Sequence, residues 1–192
     1  MEKRRQNRKE SIILTAIEII DELGVKNLSI REIAVRQGIT KSALYNHFQS
    51  KEDIIDAVFK YYTSFGSNIV MVLKEKNFMP VEAIIYYLSE YLEWLESYPP
   101  LTALINPYEI LRYYPELNEY LGETVSNKQN VLMELIKQGQ EKGVITSKFT
   151  AEELVMFLIG YLRTVVHIWR MDNCSFSVKE KVLEPFKKLL II

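Results

Sequence analysis

A single cysteine, Cys174, leaves this chain without an internal disulfide, which fits a reducing cytoplasm, and the residue reads as a small apolar side chain. Histidine is almost as scarce, with two residues, His47 and His167, far apart in the chain. No phosphate-cradling glycine loop, metal-ligand spacing or activated-nucleophile pattern accompanies them. His167 and Cys174 lack the further ligands that a metal or haem site needs, so no cofactor is expected. No run reaches the roughly 18 uninterrupted apolar residues of a membrane helix. The stretch Ile12 to Ile20 after the basic N-terminus is broken by Glu18 and lacks a small-residue cleavage site, so neither a membrane partner nor a signal peptide is expected. Asn-Gly and Asp-Gly hairpin signals between β-branched runs are absent, as are internal repeats and low-complexity tracts. The net charge of -1 would by itself argue against a nucleic-acid partner.

The distribution of charge reverses that last inference. Residues 1–51 carry ten Lys or Arg against six Asp or Glu, whereas the rest carries fourteen against nineteen. The basic part is therefore concentrated at one end, as nucleic-acid binders require. With 192 residues and 48% hydrophobic content, the chain can build a small domain joined to a larger one. Apolar residues recur at helical spacing nearly throughout, so an all-α protein of about nine helices is expected. The first helix spans about Glu10 to Leu23, with Ile13, Ala16, Ile17 and Ile20 on its apolar face and Gly24 as its stop. A long helix runs from about Lys51 to Lys76 and joins the two domains, 1–51 and 52–192, without a flexible linker. The next begins at Pro80 and ends before Pro99, and four prolines between Tyr98 and Pro115 predict short turns, a mobile wall or gate. Helices from about Glu123 to Lys142, after Thr150 and after Ser177 complete the series; Glu153 and Glu180 complete the last two capping patterns.

Residues 29–51 carry the most specific pattern. Ser29 with Glu32 starts a short helix, Ile30, Ile33 and Ala34 form its apolar face, and Gly38 permits a sharp turn. Thr40 caps a second helix in which Leu44 and Phe48 face inward. Lys41, Ser42, Tyr45, Asn46 and His47 then lie outward or along the edges. This is a helix-turn-helix, whose second helix enters the major groove. Lys41 suits guanine, Asn46 suits adenine, and Ser42 suits either or the backbone. Tyr45 and His47 are matched to phosphates, as are Ser29 and Arg31, while Lys51 stands where a helix N-terminus already favours an anion. Lys3, Arg4, Arg5, Arg8 and Lys9 read either as a DNA-contacting arm or as a solvated tail.

The segments Ser29-Ile-Arg-Glu-Ile-Ala, Gly38-Ile-Thr-Lys-Ser-Ala-Leu-Tyr-Asn-His-Phe and Ser50-Lys51-Glu52 closely resemble the DNA-binding domain of the TetR family of bacterial transcriptional repressors. The resemblance covers about a quarter of the chain. It implies a homodimer on a pseudo-palindromic double-stranded operator, a divergent ligand-binding domain, and induction by a small molecule that changes the spacing of the DNA-reading heads.

Beyond residue 51 the residues speak for themselves. Ala151 to Met171 is apolar on nearly every side, so it either pairs with a second subunit, together with the last helix, or lies buried in a monomer. Arg163, His167 and Arg170 share a polar stripe on it. They read as partners for a glutamate such as Glu180 or Glu184, or, for His167 above all, as groups facing a ligand cavity. Phe65, Tyr86, Tyr91, Trp94, Tyr113, Tyr114 and Met133, with Arg163 and His167, are the candidates to line that cavity, for an inducer of aromatic or acyl-chain character. Taken alone, each aromatic or methionine reads more often as core than as pocket.

Overall fold

The computed structural model describes residues 2–190, the side chains of 2–6, 109, 121, 124, 125 and 128 excepted. Among the described residues there are nine α-helices and no strand: α1 (Glu2–Leu23), α2 (Ile30–Arg36), α3 (Lys41–Tyr45), α4 (Lys51–Glu75), α5 (Pro80–Ser97), α6 (Tyr108–Tyr113), α7 (Asn118–Glu141), α8 (Ala151–Met171) and α9 (Val178–Leu190). Short 3-10 turns cover Val25–Asn27, Pro99–Leu104 and Pro115–Leu117. The expected all-helical architecture is present. Two starts differ from expectation. The apolar pattern of α1 begins at Ile12, but the residues before it are mostly Glu, Lys, Arg and Gln, which are good helix formers, and the helix extends back to Glu2. α7 starts at Asn118 because the turn Pro115–Leu117 runs straight into it.

The chain forms two compact units, one reaching Ser64 and including Pro100–Leu121, the other comprising Phe65–Pro99 and the residues from Gly122 onward. This division does not fall at 51/52, and the proline-broken segment joins the first unit through the buried side chains Leu101, Leu104, Ile110, Tyr114 and Leu117. In the first unit α1 is buried well beyond one stripe. Ile12, Ala16, Ile17 and Ile19 are fully enclosed, together with Leu28, Ile33, Leu44, Ile54 and Ile55.

The second unit is built on α5, α7, α8 and α9, with α9 packed on both α5 and α8. Thr150 and Glu153 cap α8 reciprocally, and the Thr150 bonds hold the Glu153 carboxyl below its usual range. Burial splits the apolar surface of α8 in two. Leu154, Val155, Leu158, Leu162, Val165, Val166 and Trp169 are buried, while Met156, Phe157, Tyr161, Ile168 and Met171 are exposed large hydrophobics, joined by Leu189 of α9. Among the described residues α8 is the one helix long and apolar enough to cross a membrane by length and composition. It nevertheless carries exposed Arg163 and His167 and buries one face within its own unit.

α9 contains Pro185 in its interior. Proline has no N–H, so the carbonyl four residues earlier, that of Lys181, loses its helical donor. The Tyr161 hydroxyl of α8 donates to that carbonyl at 3.0 Å. Tyr161→Phe is therefore expected to lower stability by about 0.5–1.5 kcal/mol. In a Pro185→Ala background, where residue 185 supplies the donor itself, the same change should cost measurably less. Urea unfolding of the four proteins of this double-mutant cycle checks it.

Candidate nucleic-acid interface

The helix-turn-helix is assembled from caps. Ser29 Oγ accepts from the Glu32 N–H at 3.1 Å to open α2, and Thr40 Oγ1 accepts from the Ala43 N–H at 3.1 Å to open α3. Between them Gly38 has φ +61°, the left-handed conformation that a Cβ disfavours. The Ile39 N–H reaches Ala34 O at 3.0 Å and the Gly38 N–H reaches Val35 O at 3.1 Å, which closes α2 as a Schellman turn. α3 is then five residues long and is pinned by Leu44 and Phe48, at 0% and 3% exposure.

One residue that the sequence pattern did not single out orients this pair of helices on α1. The Gln37 carbonyl oxygen accepts from Ser11 at 3.1 Å and Arg8 at 3.3 Å, while its amide donates to Thr15 Oγ1 at 2.7 Å and Ser11 O at 3.2 Å. A polar residue placed just before the turn glycine was the available signal. Arg36 adds ion pairs to Glu22 of α1 at 2.8 Å and to Glu32 at 2.9 Å.

With the inward side chains accounted for, the outer surface of α3 and its flank is polar. Lys41, Ser42, Tyr45 and Asn46 are exposed, as are Thr40 and Arg31, whereas Ser29 and His47 are half-buried. Lys41 and Ser42 occupy the first turn of α3, and Tyr45 and Asn46 follow one turn later. Cations and hydroxyls here can hold phosphates, and Lys, Ser and Asn can read base edges. Lys51 is placed differently from a free phosphate contact: its ammonium lies 3.4 Å from Val25 O and 5.7 Å above the Tyr114 ring. Of the basic N-terminal residues, Arg8 holds Gln37 and Lys9 lies 5.1 Å over the Phe48 ring. The side chains of Lys3, Arg4 and Arg5 lie outside the described residues.

The candidate cavity residues divide into groups. Phe65 stacks on Trp94 with centroids 4.3 Å apart and planes 7° apart, and Tyr91 tilts against Trp94 at 6.3 Å. Tyr86 stacks instead on Phe78 at 5.2 Å, beneath the Lys76 ammonium. Met133 lines a groove of about 450 Å³ between α7 and α8 with Asn130, Val155 and Ile159. A second groove, about 390 Å³, lies between α4 and α7 and is lined by Ser67, Val70, Met71, Lys74, Asn127 and Val131. Arg163 and His167 are exposed along α8, and Glu184, considered as a partner for this stripe, pairs with Lys187 at 3.9 Å. Tyr113 and Tyr114 belong to the first unit, where they face Lys26 and Lys51.

Two family models together account for almost the whole chain. Residues 12–58 match the bacterial regulatory proteins of the tetR family, and residues 53–192 match the C-terminal region of YsiA-like proteins. The chain belongs to the TetR family. It is a DNA-binding transcriptional regulator, not an enzyme. Among curated relatives, the IcaR negative transcriptional regulator of the biofilm operon icaADBC from Staphylococcus aureus (strain Newman) is 26% identical over 181 residues, spanning 93% of this chain and 90% of that protein. The fatty acid metabolism regulator protein of Bacillus subtilis (strain 168) is 23% identical over 177 residues, covering 92% and 90%. Among solved structures, the ketosteroid regulator KstR2 of Mycobacterium tuberculosis superposes with a TM-score of 0.82 at 17% identity, covering 96% and 95% of the two chains. FadR of Bacillus subtilis, solved with stearoyl-CoA, gives 0.75 at 21%, covering 94% and 97%. These likenesses confirm the fold.

For this TetR-family surface, Ser42→Ala and Asn46→Ala are expected to change which DNA sequence is preferred, by about 1–3 kcal/mol for each lost base contact. Tyr45→Phe should instead weaken all sequences alike. Selection of sites from a random duplex pool by each variant distinguishes the two behaviours, and unchanged preference in both alanine variants would move base reading to Lys41.

Proposed function

We propose that this chain acts in the cytoplasm as a homodimeric repressor, bound to a pseudo-palindromic operator through two copies of α3 and released by a small, mostly apolar ligand. The observation that carries the reading is α3 itself: a capped helix with Leu44 and Phe48 buried and Lys41, Ser42, Tyr45 and Asn46 exposed. One such helix reads too few base pairs for specificity, and a two-fold pair doubles the site. The exposed apolar face of α8, Met156, Phe157, Tyr161, Ile168 and Met171 with Leu189 of α9, supports association of two copies, because a contiguous apolar surface of this kind is stabilised by removal from water. On this reading residues 1–51 serve DNA, and residues 52–192 serve ligand binding and dimerisation.

The ligand is an acyl-chain or aromatic compound. The Phe65–Trp94–Tyr91 cluster supplies flat apolar faces, and the groove between α4 and α7 adds Lys74, Ser67 and Asn127 to an apolar wall. That mixture suits a long acyl chain with a polar, anionic head. The stearoyl-CoA complex of the Bacillus subtilis regulator supports the same class. Such a ligand releases DNA only to the extent that it prefers the form that does not bind DNA, and a tenfold release needs about 1.4 kcal/mol of preference.

Fluorescence anisotropy with a selected operator duplex tests this reading. Binding should be dimeric, should weaken steeply as salt rises, and should weaken at least tenfold when stearoyl-CoA is added. Full-strength binding by a monomer, or a flat salt response, overturns the dimeric reading of DNA. Indifference to stearoyl-CoA and to free long-chain fatty acid removes the acyl ligand.

A further inference from the structure

Two consecutive tyrosines at the end of α6 each face a lysine of the DNA-reading unit. The Lys26 ammonium stands 5.1 Å above the Tyr113 ring and that of Lys51 stands 5.7 Å above the Tyr114 ring. Lys26 lies in the turn Val25–Asn27 that separates α1 from α2, and the carbonyl of Val25 in that same turn accepts from Lys51 at 3.4 Å. Lys51 is therefore tied to the turn from which Lys26 springs. Tyr114 is buried, at 6% exposure, and Lys51 is half-buried, so this pair is partly withdrawn from water, whereas Tyr113 is 42% exposed. Withdrawal strengthens the attraction between an ammonium and a ring face.

The rings are held by their own backbone. α6 lies between Pro107 and Pro115, which block its extension at each end. The Tyr114 N–H donates to Ile110 O at 3.0 Å, and its carbonyl accepts from Leu117 at 3.1 Å. Moving this short segment moves both rings together.

We propose that Tyr114 and DNA phosphate compete for the Lys51 ammonium, so that the position of segment 107–117 sets how many cations the protein presents to DNA. The inference rests on the DNA-binding reading above. Lys51 is the first residue of α4, close in sequence to the recognition helix and at a helix end that favours an anion. Its charge is nevertheless directed to the Val25 carbonyl and the Tyr114 face. With the Tyr114 ring beneath its ammonium, Lys51 contributes little to phosphate binding. With the segment withdrawn, each protomer gains one phosphate contact. Lys26 and Tyr113, the more exposed pair, hold the segment in register without withdrawing a cation from the α3 side.

Counterion release provides the readout, because each phosphate neutralised changes the slope of log K against log salt by about 0.9. Binding of the selected operator duplex is measured across ionic strength for the wild type, Tyr114→Leu, Tyr114→Phe, Lys51→Gln, and Lys51→Gln combined with Tyr114→Leu. Tyr114→Leu should steepen the slope by about 0.9 per protomer and tighten binding at low salt. Tyr114→Phe, which keeps the ring, should match the wild type. Lys51→Gln should leave the wild-type slope nearly unchanged, yet abolish the gain in the Tyr114→Leu background. A wild-type slope that flattens by about 0.9 per protomer on Lys51→Gln, or a Tyr114→Leu slope equal to the wild type in a variant whose circular dichroism and unfolding midpoint show it folded, overturns the proposal. Should Tyr114→Leu fail to fold, the Lys51→Gln comparison alone decides. Failure of the wild type to bind duplex at all refutes the DNA-binding reading and not this competition.

Discussion

A helix of five residues cannot hold its own shape in water, since isolated helices shorter than about 12–15 residues are marginal even with favourable composition. α3 is such a helix, and the DNA-reading surface depends on what anchors it. The anchor is apolar burial of Leu44 and Phe48 against the first unit. Truncating a side chain as enclosed as Leu44 costs on the order of 2–5 kcal/mol, a large part of the stability of a typical domain. The caps at Ser29 and Thr40 and the Schellman turn at Gly38 add direction to that anchorage. Gln37 and Arg36 then fix the pair of helices on α1 through directed bonds that tolerate little sliding. Lys41, Ser42 and Tyr45 on the outer surface take no part in that burial, so the anchorage of α3 and the chemistry it presents to DNA are carried by different side chains.

Much of this was legible in the sequence because it rests on short-range rules. Ser29 with Glu32, Thr40 before a short apolar pair, and Gly38 between them describe local backbone chemistry, and each takes the expected form. The apolar faces of α1 and the capping box of α8 follow from periodicity and from the Thr150–Glu153 spacing. What was not legible depends on long-range placement. Nothing local says that Tyr113 and Tyr114 face lysines of the DNA-reading unit while Phe65 and Trp94 stack on each other. In the sequence all four are simply aromatics on apolar stretches. Gln37 was illegible for a similar reason, since its partners lie 22 to 29 residues away on α1. The early start of α1 was missed because periodicity registers burial, whereas its basic first turns follow helix propensity.

α8 carries apolar residues on two faces, one buried within its unit and one exposed. Its buried residues recur at three- and four-residue intervals from Ala151 to Trp169, and the large hydrophobics between them face outward. A helix with one wet face would replace those outward residues with charge. Their retention, alongside the exposed Arg163 and His167, describes a surface that is apolar at its centre and polar along one edge. That is the composition of protein interfaces generally, with an apolar middle and a hydrated rim.

The bond from Tyr161 to the carbonyl that Pro185 leaves without a helical donor has a consequence for how α9 is placed. A proline in a helix interior is ordinarily a weak point, because the orphaned carbonyl must find water or strain the backbone. Here the missing donor comes from a neighbouring helix, so the defect in α9 acts as a key that fits α8 at one axial position. Sliding α9 by a single turn would carry the carbonyl about 5.4 Å from the hydroxyl and leave both groups to solvent. In the proposed homodimer, Tyr161 lies within the apolar face that a second copy covers, where water would no longer stand in for the lost bond. The register of α9 and the association of two chains would then reinforce each other, and α9 would be most firmly seated at protein concentrations where the subunits are paired.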